Sequence, residues 1–375
     1  MKRICALLLA VCLFALMLAG CGKSDYPPVK STEAEARTVL TLSYGDRSYE
    51  IPYELYRTFF LTYRDEVDGG DRSVWSGEDS ETYRETINRK IFRQIADIYA
   101  VRELCTQIGY DFYSKEADDK IREYIRVSVE GGTLDGMEIE GCGSYEAYLQ
   151  RLKDDYVNYS VQDLIYRYYL GENALESFYF GTDSEYAETF RFGDITYTDA
   201  DLRAFYEKED TGRFLWICLD KDVHPTDAGV RAIHDKIVTA VAAAGNAEKD
   251  KKAGETLFRY TTTAYGEVMA GYLVTPYNLD ENQYGDLIAA ALALDVHEVS
   301  QPIRVHSDAY NGYFIVYRAE KTEEYLAEHR ADVVTAFLQD SLGRKLAVIR
   351  DAMVAGAVPT EELKNLDLSA VTMEN

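Results

Sequence analysis

Basic residues are scarce relative to acidic ones. The 375-residue sequence has 40 lysines and arginines against 65 aspartates and glutamates, a formal net charge of −25. Binding to nucleic acid requires cations that displace counterions from phosphate, and electrostatic docking on anionic lipid requires cations as well. The composition therefore excludes nucleic acid as a partner and argues against electrostatic docking on a membrane surface.

Proline and histidine are also few. Seven prolines and 25 glycines exclude a long proline-rich or collagen-like chain. The five histidines never fall in a His-Glu-x-x-His pair, and phosphate-loop and Gly-x-Ser-x-Gly motifs are missing, so no metal or cofactor is expected. Apolar residues make up 47% of the chain and the mean hydropathy is −0.29, which indicates a globular protein of about two to three domains.

Long apolar runs are missing except at the start of the chain. Lys2 and Arg3 precede an apolar run of about 15 residues, which is typical of an export signal and short for a membrane span. Leu18-Ala19-Gly20-Cys21 resembles a bacterial lipobox. This resemblance implies removal of residues 1–20, lipidation of Cys21, a flexible tether over 21–37 and an extracytoplasmic protein anchored to the bacterial cell membrane. A plain signal peptide or an uncut anchor is the alternative.

Cysteine is rare in the remaining chain. Beyond Cys21, only Cys105, Cys142 and Cys218 remain, and their spacing fits neither a zinc site nor a disulfide framework. Cys105 and Cys218 lie in apolar runs, which favours a role as small core residues. One disulfide between two of the three is possible in an exported protein, so the redox state stays open.

Residues 38–205 have the pattern of a hairpin followed by helices. Alternation around Gly45-Asp46 predicts a hairpin over 38–51. Apolar residues spaced by three and four, with N-cap serines at 114 and 144 and a stop at Gly109, predict the helices. Their predicted ranges are 54–64, 81–108, 115–130, 144–152, 157–170 and 198–206. Tyrosines crowd residues 145–186; they form either a surface for unfolded segments or helix–helix contacts.

A different pattern follows Gly212. Apolar runs at 214–219, 271–274 and 312–317 predict strands that alternate with helices over 227–244 and 287–294, a small α+β domain at 206–321. A long helix then begins at Thr322, and its apolar stripe has to be buried. The predicted fold is α+β. The small domain is inserted into a helical domain at 38–205, which the helix at 322–358 completes, and a tail follows at 359–375.

Four stretches in one order resemble the extracytoplasmic foldase lipoproteins and periplasmic chaperones of the PrsA/SurA type. They are Glu103–Tyr110 with Ser114–Asp118, Ile195–Tyr206, Ala290–Leu294 with Glu298–Pro302, and Gly312–Val316. The resemblance covers about residues 95–355. It implies a helical chaperone domain, a parvulin-type peptidyl-prolyl isomerase domain, and unfolded exported polypeptides as partners.

The resemblance fails at the residues that would carry catalysis. Active parvulins have a histidine in the first strand and another in the last, and the matching positions here are Trp216 and Phe314. The resemblance thus implies a vestigial site with no intact catalytic residue. Its apolar remainder either lines a peptide-binding groove or packs the domain's core: Trp216, Leu273, Leu287, Leu292 and Phe314.

Three hypotheses about function follow. The first is a membrane-anchored chaperone or foldase whose parvulin-like domain has weak activity or none. The second is an active peptidyl-prolyl cis-trans isomerase. The third is a solute-binding lipoprotein of a transporter, which normally has two lobes of alternating strands and helices, a pattern that residues 52–190 lack.

Overall fold

The computed structural model describes residues 26–134, 136–180, 191–192, 195–224, 226–261, 263–279, 281–306 and 311–374. Residues 1–20 and the predicted lipidation site Cys21 lie outside these residues. The chain separates into two compact units. One is Met1–Phe178 with Lys345–Asn375, here the helical unit; the other is Tyr179–Arg344, here the lobe. The predicted small domain, 206–321, falls within the lobe.

Helices dominate the helical unit. Their bounds are α1 Glu33–Ala36, α2 Tyr53–Asp68, α3 Ser80–Gln107, α4 Lys115–Glu130, α5 Tyr145–Asp154, α6 Tyr159–Phe180 and α14 Glu361–Lys364. A small antiparallel sheet has the order β11-β1-β2, with strands β1 Thr38–Tyr44, β2 Arg47–Pro52 and β11 Val358–Pro359. The predicted hairpin is confirmed, and its pairing with β11 brings together the two ends of the described chain.

Local signals in the sequence set the helix boundaries of this unit. Ser114 Oγ accepts a hydrogen bond from the amide of Ala117 at the start of α4, and Ser144 Oγ does the same for Ala147 at the start of α5. Gly109, just past α3, has a φ of 82°, which glycine adopts without strain. Between α4 and α5, β3 Gly132–Leu134 pairs with β4 Met137–Ile139.

The lobe mixes strands and helices. Its strands are β5 Arg191–Phe192, β6 Ile195–Thr196, β7 Gly212–Asp220, β8 Tyr272–Val274, β9 Ile303–His306 and β10 Asn311–Ala319. Its helices are α7 Asp199–Glu207, α8 Asp227–Ala242, α9 Lys249–Phe258, α10 Tyr265–Ala270, α11 Glu281–Leu292 and α12 Glu323–Glu328. The sequence pattern did not predict β5, β6, β9, α9 or α10; all of these except the ten-residue α9 are too short for their periodicity to stand out.

An antiparallel sheet of order β8-β7-β10-β9 organises the lobe. Each face of this sheet supports its own apolar core. On one face α8, α9 and α10 bury Val230, Ile237, Leu257 and Val268 against Leu215 and Ile315. On the other, α11 covers Phe214 and Val316. The chain is therefore an α+β protein, as predicted.

The long helix after Thr322 is broken at His329 into α12 and α13, Arg330–Ala355. Within the lobe, Val333 and Ala336 of α13 pack with Phe205 and Tyr325. Beyond Arg344 the helix belongs to the helical unit, where Arg350 Nη1 lies 3.5 Å from Asp97 Oδ1 of α3. Ile349 and Met353 are buried in this second part of the helix.

Candidate functional site

The two central strands of the lobe bring Trp216 and Phe314 together. Strands β7 and β10 are antiparallel neighbours in which Val316 opposes Trp216 and Phe314 opposes Cys218. Since alternate residues of a strand face the same side of a sheet, Trp216 and Phe314 share one face as a diagonal pair. Their ring centroids are 6.2 Å apart and the ring planes meet at 86°, an edge-to-face contact.

A third aromatic ring extends this face. Tyr272 of β8 stacks on Trp216 with a centroid separation of 4.5 Å and an interplanar angle of 15°. Phe314 is 3% exposed, whereas Trp216 and Tyr272 are half-buried. Phe314 is therefore the buried member of the three, and the Trp216 indole and the Tyr272 phenol each keep part of their surface accessible. We call Trp216, Tyr272 and Phe314 the aromatic patch.

Helix α11 supplies the leucines of this face. Leu287 and Leu292 both contact the core cluster that contains Phe314. Leu287 is 2% exposed and acts as core, while Leu292 is half-buried near the end of the helix. The structure thus brings together four of the five predicted site residues, two of them buried beneath the face and two partly accessible on it.

Leu273 does not join the other predicted residues. It belongs to a separate cluster with Phe205, Tyr206 and Tyr325, because it points away from its strand neighbours Tyr272 and Val274. The resemblance grouped Leu273 with the other apolar residues, and a three-residue strand gives no reliable sign of which side chains share a face.

Three of the described histidines make their side-chain contacts with other residues: His234 Nδ1 lies 3.1 Å from Asp235 Oδ1, His297 Nδ1 lies 2.8 Å from Tyr317 Oη, and His329 Nδ1 lies 3.1 Å from Asp332 Oδ2. The side chain of His306 lies outside the described atoms. Cys218 packs against the apolar cluster that contains Phe314, and burial, followed by the charge of Asp220, raises the pKa of its thiol to about 11. The thiol stays protonated near neutral pH, which makes it a poor nucleophile.

The opposite face of the same sheet carries a polar cluster that the sequence analysis missed. Tyr317 Oη donates to Asp250 Oδ1 over 2.8 Å, and His297 Nδ1 lies 2.8 Å from the same hydroxyl. Arg213 Nη1 is 3.5 Å from Asp250 Oδ2, which also accepts from the amide of Glu320. Burial, reinforced by Asp250, raises the pKa of Tyr317. The cluster links α9 to β10, and no spacing of residues in the sequence predicts it.

The tyrosine-rich stretch of the helical unit contributes mainly to packing between helices. Tyr124 and Tyr166 meet with ring centroids 5.3 Å apart, and Tyr148 is buried in the same cluster as Leu152. Burial is the main cause that raises the pKa of Tyr148. Tyr186 lies outside the described residues. The described part of the stretch supports helix–helix contacts for most of its tyrosines, while Tyr156 and Tyr169 are exposed.

The three cysteines beyond Cys21 are unpaired, and Cys105 is buried. Across the described part of the chain, no three His, Cys, Asp or Glu side chains converge as metal ligands. The described helices include none with the length and apolar character needed to span a membrane.

Comparison with known proteins gives distant structural likenesses. Neither a family model nor a curated protein matches the chain. A foldase protein PrsA from Streptococcus pneumoniae str. Canada MDR_19A is 16% identical over 74% of this chain and 88% of that one, with a TM-score of 0.26. PrsA from Bacillus subtilis is 17% identical, covering 78% and 93%, with a TM-score of 0.23. A foldase protein (PrsA) from Lactococcus lactis is 12% identical, covering 90% and 99%, with a TM-score of 0.22.

Proposed function

We propose that the protein is a lipid-anchored extracytoplasmic chaperone that binds unfolded exported polypeptides. In this proposal Cys21 carries the lipid, and two or more acyl chains make the anchor stable where one would be marginal. The lobe is a parvulin-like domain that binds peptide and has little or no isomerase activity.

One observation carries the proposal. Trp216 and Phe314 are neighbours on the first and last long strands of the lobe's sheet, and they occupy the positions where the resemblance implies catalytic histidines. Rotation about a peptide bond has a barrier of about 18–20 kcal/mol, and an enzyme lowers it only by binding the twisted form better than the planar one. With aromatic rings in place of imidazoles at these two positions, the patch provides apolar contact area and little of the polar complementarity that such discrimination needs.

The exposed rings of the aromatic patch suit weak binding of many sequences. Tryptophan and tyrosine offer large rigid faces with few rotamers to lose on contact, so they bind varied apolar segments without demanding one of them. The net charge of −25 supports the same role, because like-charge repulsion keeps protein–client complexes from coalescing.

An isomerase assay separates this proposal from the enzymatic alternative. We expect the natural protein to leave the cis-trans rate of a proline-containing tetrapeptide close to the uncatalysed rate. The double variant Trp216→His with Phe314→His restores both implied imidazoles. Isomerase activity gained by the folded double variant would support the proposal that the natural protein has lost its catalytic site. A natural protein that already matches the double variant in a clear acceleration would refute the proposal.

A client-aggregation assay tests the binding role of the patch. Trp216→Ala removes an accessible ring, and we expect suppression of the aggregation of a reduced, unfolded protein to weaken roughly two- to tenfold. Phe258→Ala is the matched control, since Phe258 is another partly exposed ring of the lobe outside the patch. Equal suppression by both variants would contradict a role for the aromatic patch.

A further inference from the structure

Residues 366–374 lie against the helical unit and are anchored in it. Leu368 is 1% exposed and Val371 is 2% exposed. A 3-10 turn, Leu368–Ala370, leads into an extended residue at Val371, whose φ is −67° and ψ is 122°. We call residues 366–374 the docked segment. It behaves as a short peptide that is held by two aliphatic side chains.

Two arginine side chains of helix α2 contact the main chain of the docked segment. Arg64 Nη1 donates to the carbonyl oxygen of Val371 over 3.4 Å, and Arg57 Nη1 donates to that of Met373 over 3.5 Å. Glu35 holds the Arg57 guanidinium in place through an ion pair of 2.8 Å. Every residue of a polypeptide has a carbonyl oxygen, so these two donors recognise backbone and not sequence.

The docked segment fills only part of a larger groove. Beside residues 372–374 lies an open surface depression of about 520 Å³. Leu61 and Arg64 of α2 form one wall of the depression, and Gln150, Lys153 and Asp154 of α5 form the other. We call this feature the α2–α5 groove. Arg57, Leu61 and Arg64 recur at spacings of four and three, so they line a single face of α2.

Charge in the groove is mixed. Arg64 and Lys153 line it together with Asp154, and Arg57, on the same face of α2, is paired with Glu35. Lys153 Nζ also pairs with the Glu374 carboxylate of the docked segment. The chemistry suits an extended stretch that has an aliphatic side chain, free carbonyl oxygens and an acidic residue a few positions later.

We propose that the α2–α5 groove binds extended stretches of unfolded client polypeptide, and that the docked segment is an internal competitor for the same site. The inference deepens the proposed chaperone function, on which the identity of the ligand rests. The docked segment is the argument for this occupant, because it shows that the groove accepts a polypeptide through backbone contacts.

Competition predicts a measurable consequence. A ligand that must displace an internal occupant binds with an affinity reduced by the fraction of molecules whose site is free. Releasing the docked segment should therefore tighten client binding, whereas damaging the groove wall should weaken it.

The test uses full-length protein and a fluorescein-labelled peptide with the sequence of residues 366–374. Val371→Asp buries a charge and releases the docked segment, and we expect it to bind the peptide about tenfold tighter than the natural protein. Adding Arg64→Gln to Val371→Asp should remove most of that gain. Ala370→Asp is the matched control, with the same new charge on an exposed neighbour of Val371.

Fluorescence polarisation and analytical ultracentrifugation provide the readouts. A folded Val371→Asp variant that binds the peptide no better than Ala370→Asp overturns the proposal. Self-association of Val371→Asp without binding of an unfolded client also overturns it, because the groove would then accept a second copy of this chain.

Hydrogen exchange on the natural protein gives a test that needs no variant. A saturating unfolded client should speed exchange of the amides in residues 366–374, and unchanged exchange contradicts competition. Aggregation assays distinguish the two proposals. If the natural protein suppresses aggregation and Val371→Asp does so equally, the groove proposal fails and the chaperone proposal stands. If the natural protein suppresses no aggregation while the groove binds peptide, the chaperone proposal fails instead.

Discussion

At the scale of single residues, burial separates side chains that hold the lobe together from those that a client can touch. Phe314 and Leu287 are almost fully buried, whereas Trp216 and Leu292 keep part of their surface accessible. Truncating Leu287 would leave a cavity and cost about 2–5 kcal/mol of stability. Truncating Trp216 removes contact area that is partly on the surface, which makes it the better probe of binding.

Glu176 of α6 provides a residue-scale prediction of pH dependence. Burial raises the pKa of its carboxyl from 4.5 to about 7. Between these two values the folded state holds the proton more tightly than the unfolded state, so the free energy of unfolding falls as the pH rises. We expect Glu176→Gln to remove this loss, stabilising the protein by about 2 kcal/mol at pH 8 and by nothing near pH 4.

Thermal unfolding at pH 4, 6 and 8 measures this effect. Glu85→Gln, on an exposed position of α3, is the control for loss of a carboxylate from this acidic chain. If Glu85→Gln and Glu176→Gln change the pH profile in the same way, general charge repulsion explains the effect and burial of Glu176 does not.

At the scale of elements, the helix starts are fixed by side chains a few residues away, while the strands depend on distant partners. Thr198 caps α7 in a box with Asp201, and both hydrogen bonds of that box involve neighbours in sequence. The edge strand β9 instead exists because Ile303 and Val305 pair with Phe314 and Gly312 of β10. Nothing in a four-residue run predicts that pairing.

The cap of α4 gives an element-scale prediction. Ser114 Oγ accepts from the amide of Ala117 over 3.1 Å, and its loss would leave that amide without a protein partner. We expect Ser114→Ala to lower the free energy of unfolding by about 1 kcal/mol, as measured by urea denaturation. Ser114→Asp keeps an acceptor and should remain near the natural value; an equal loss in both variants would show that the cap hydrogen bond is not the cause.

At the scale of the whole molecule, the chain divides into a helical unit and a lobe that each have their own apolar clusters. The cluster around Tyr124 and Tyr148 uses residues of the helical unit. The cluster around Ile237 and Leu257 uses residues of the lobe. Separate cores allow one unit to lose protection while the other keeps it.

Ile237→Ala tests this separation. Ile237 is fully buried in the lobe, and its truncation should destabilise the lobe by about 2–5 kcal/mol. Hydrogen exchange should accelerate across residues 212–319 and stay unchanged across α3 and α4. Val238→Ala, at the exposed neighbouring position, should leave both regions unchanged. Equal acceleration in α3 would indicate a single cooperative unit.

Most residues of the site could be named from the sequence, but which of them are buried and which are accessible could not be predicted. The resemblance to parvulins grouped Trp216, Leu287, Leu292 and Phe314 in one set, and in the structure these four lie in or against one apolar cluster. Leu273 was grouped with them because its apolar character does not reveal which face of β8 it occupies. Whether a leucine is buried or accessible depends on which residues cover it, and that is a property of the folded chain.

The amino-acid sequence alone determined the α+β class, the hairpin of β1 and β2 and the caps at Ser114 and Ser144, because periodicity, turns and caps act over a few residues. Tertiary structure alone decided the pairing of β1 with β11, the packing of the first turns of α13 with Phe205 and Tyr325 and the docking of residues 366–374. Each of these unites segments far apart in the chain, where the gain from burial and hydrogen bonding must exceed the entropy lost on closing a long loop.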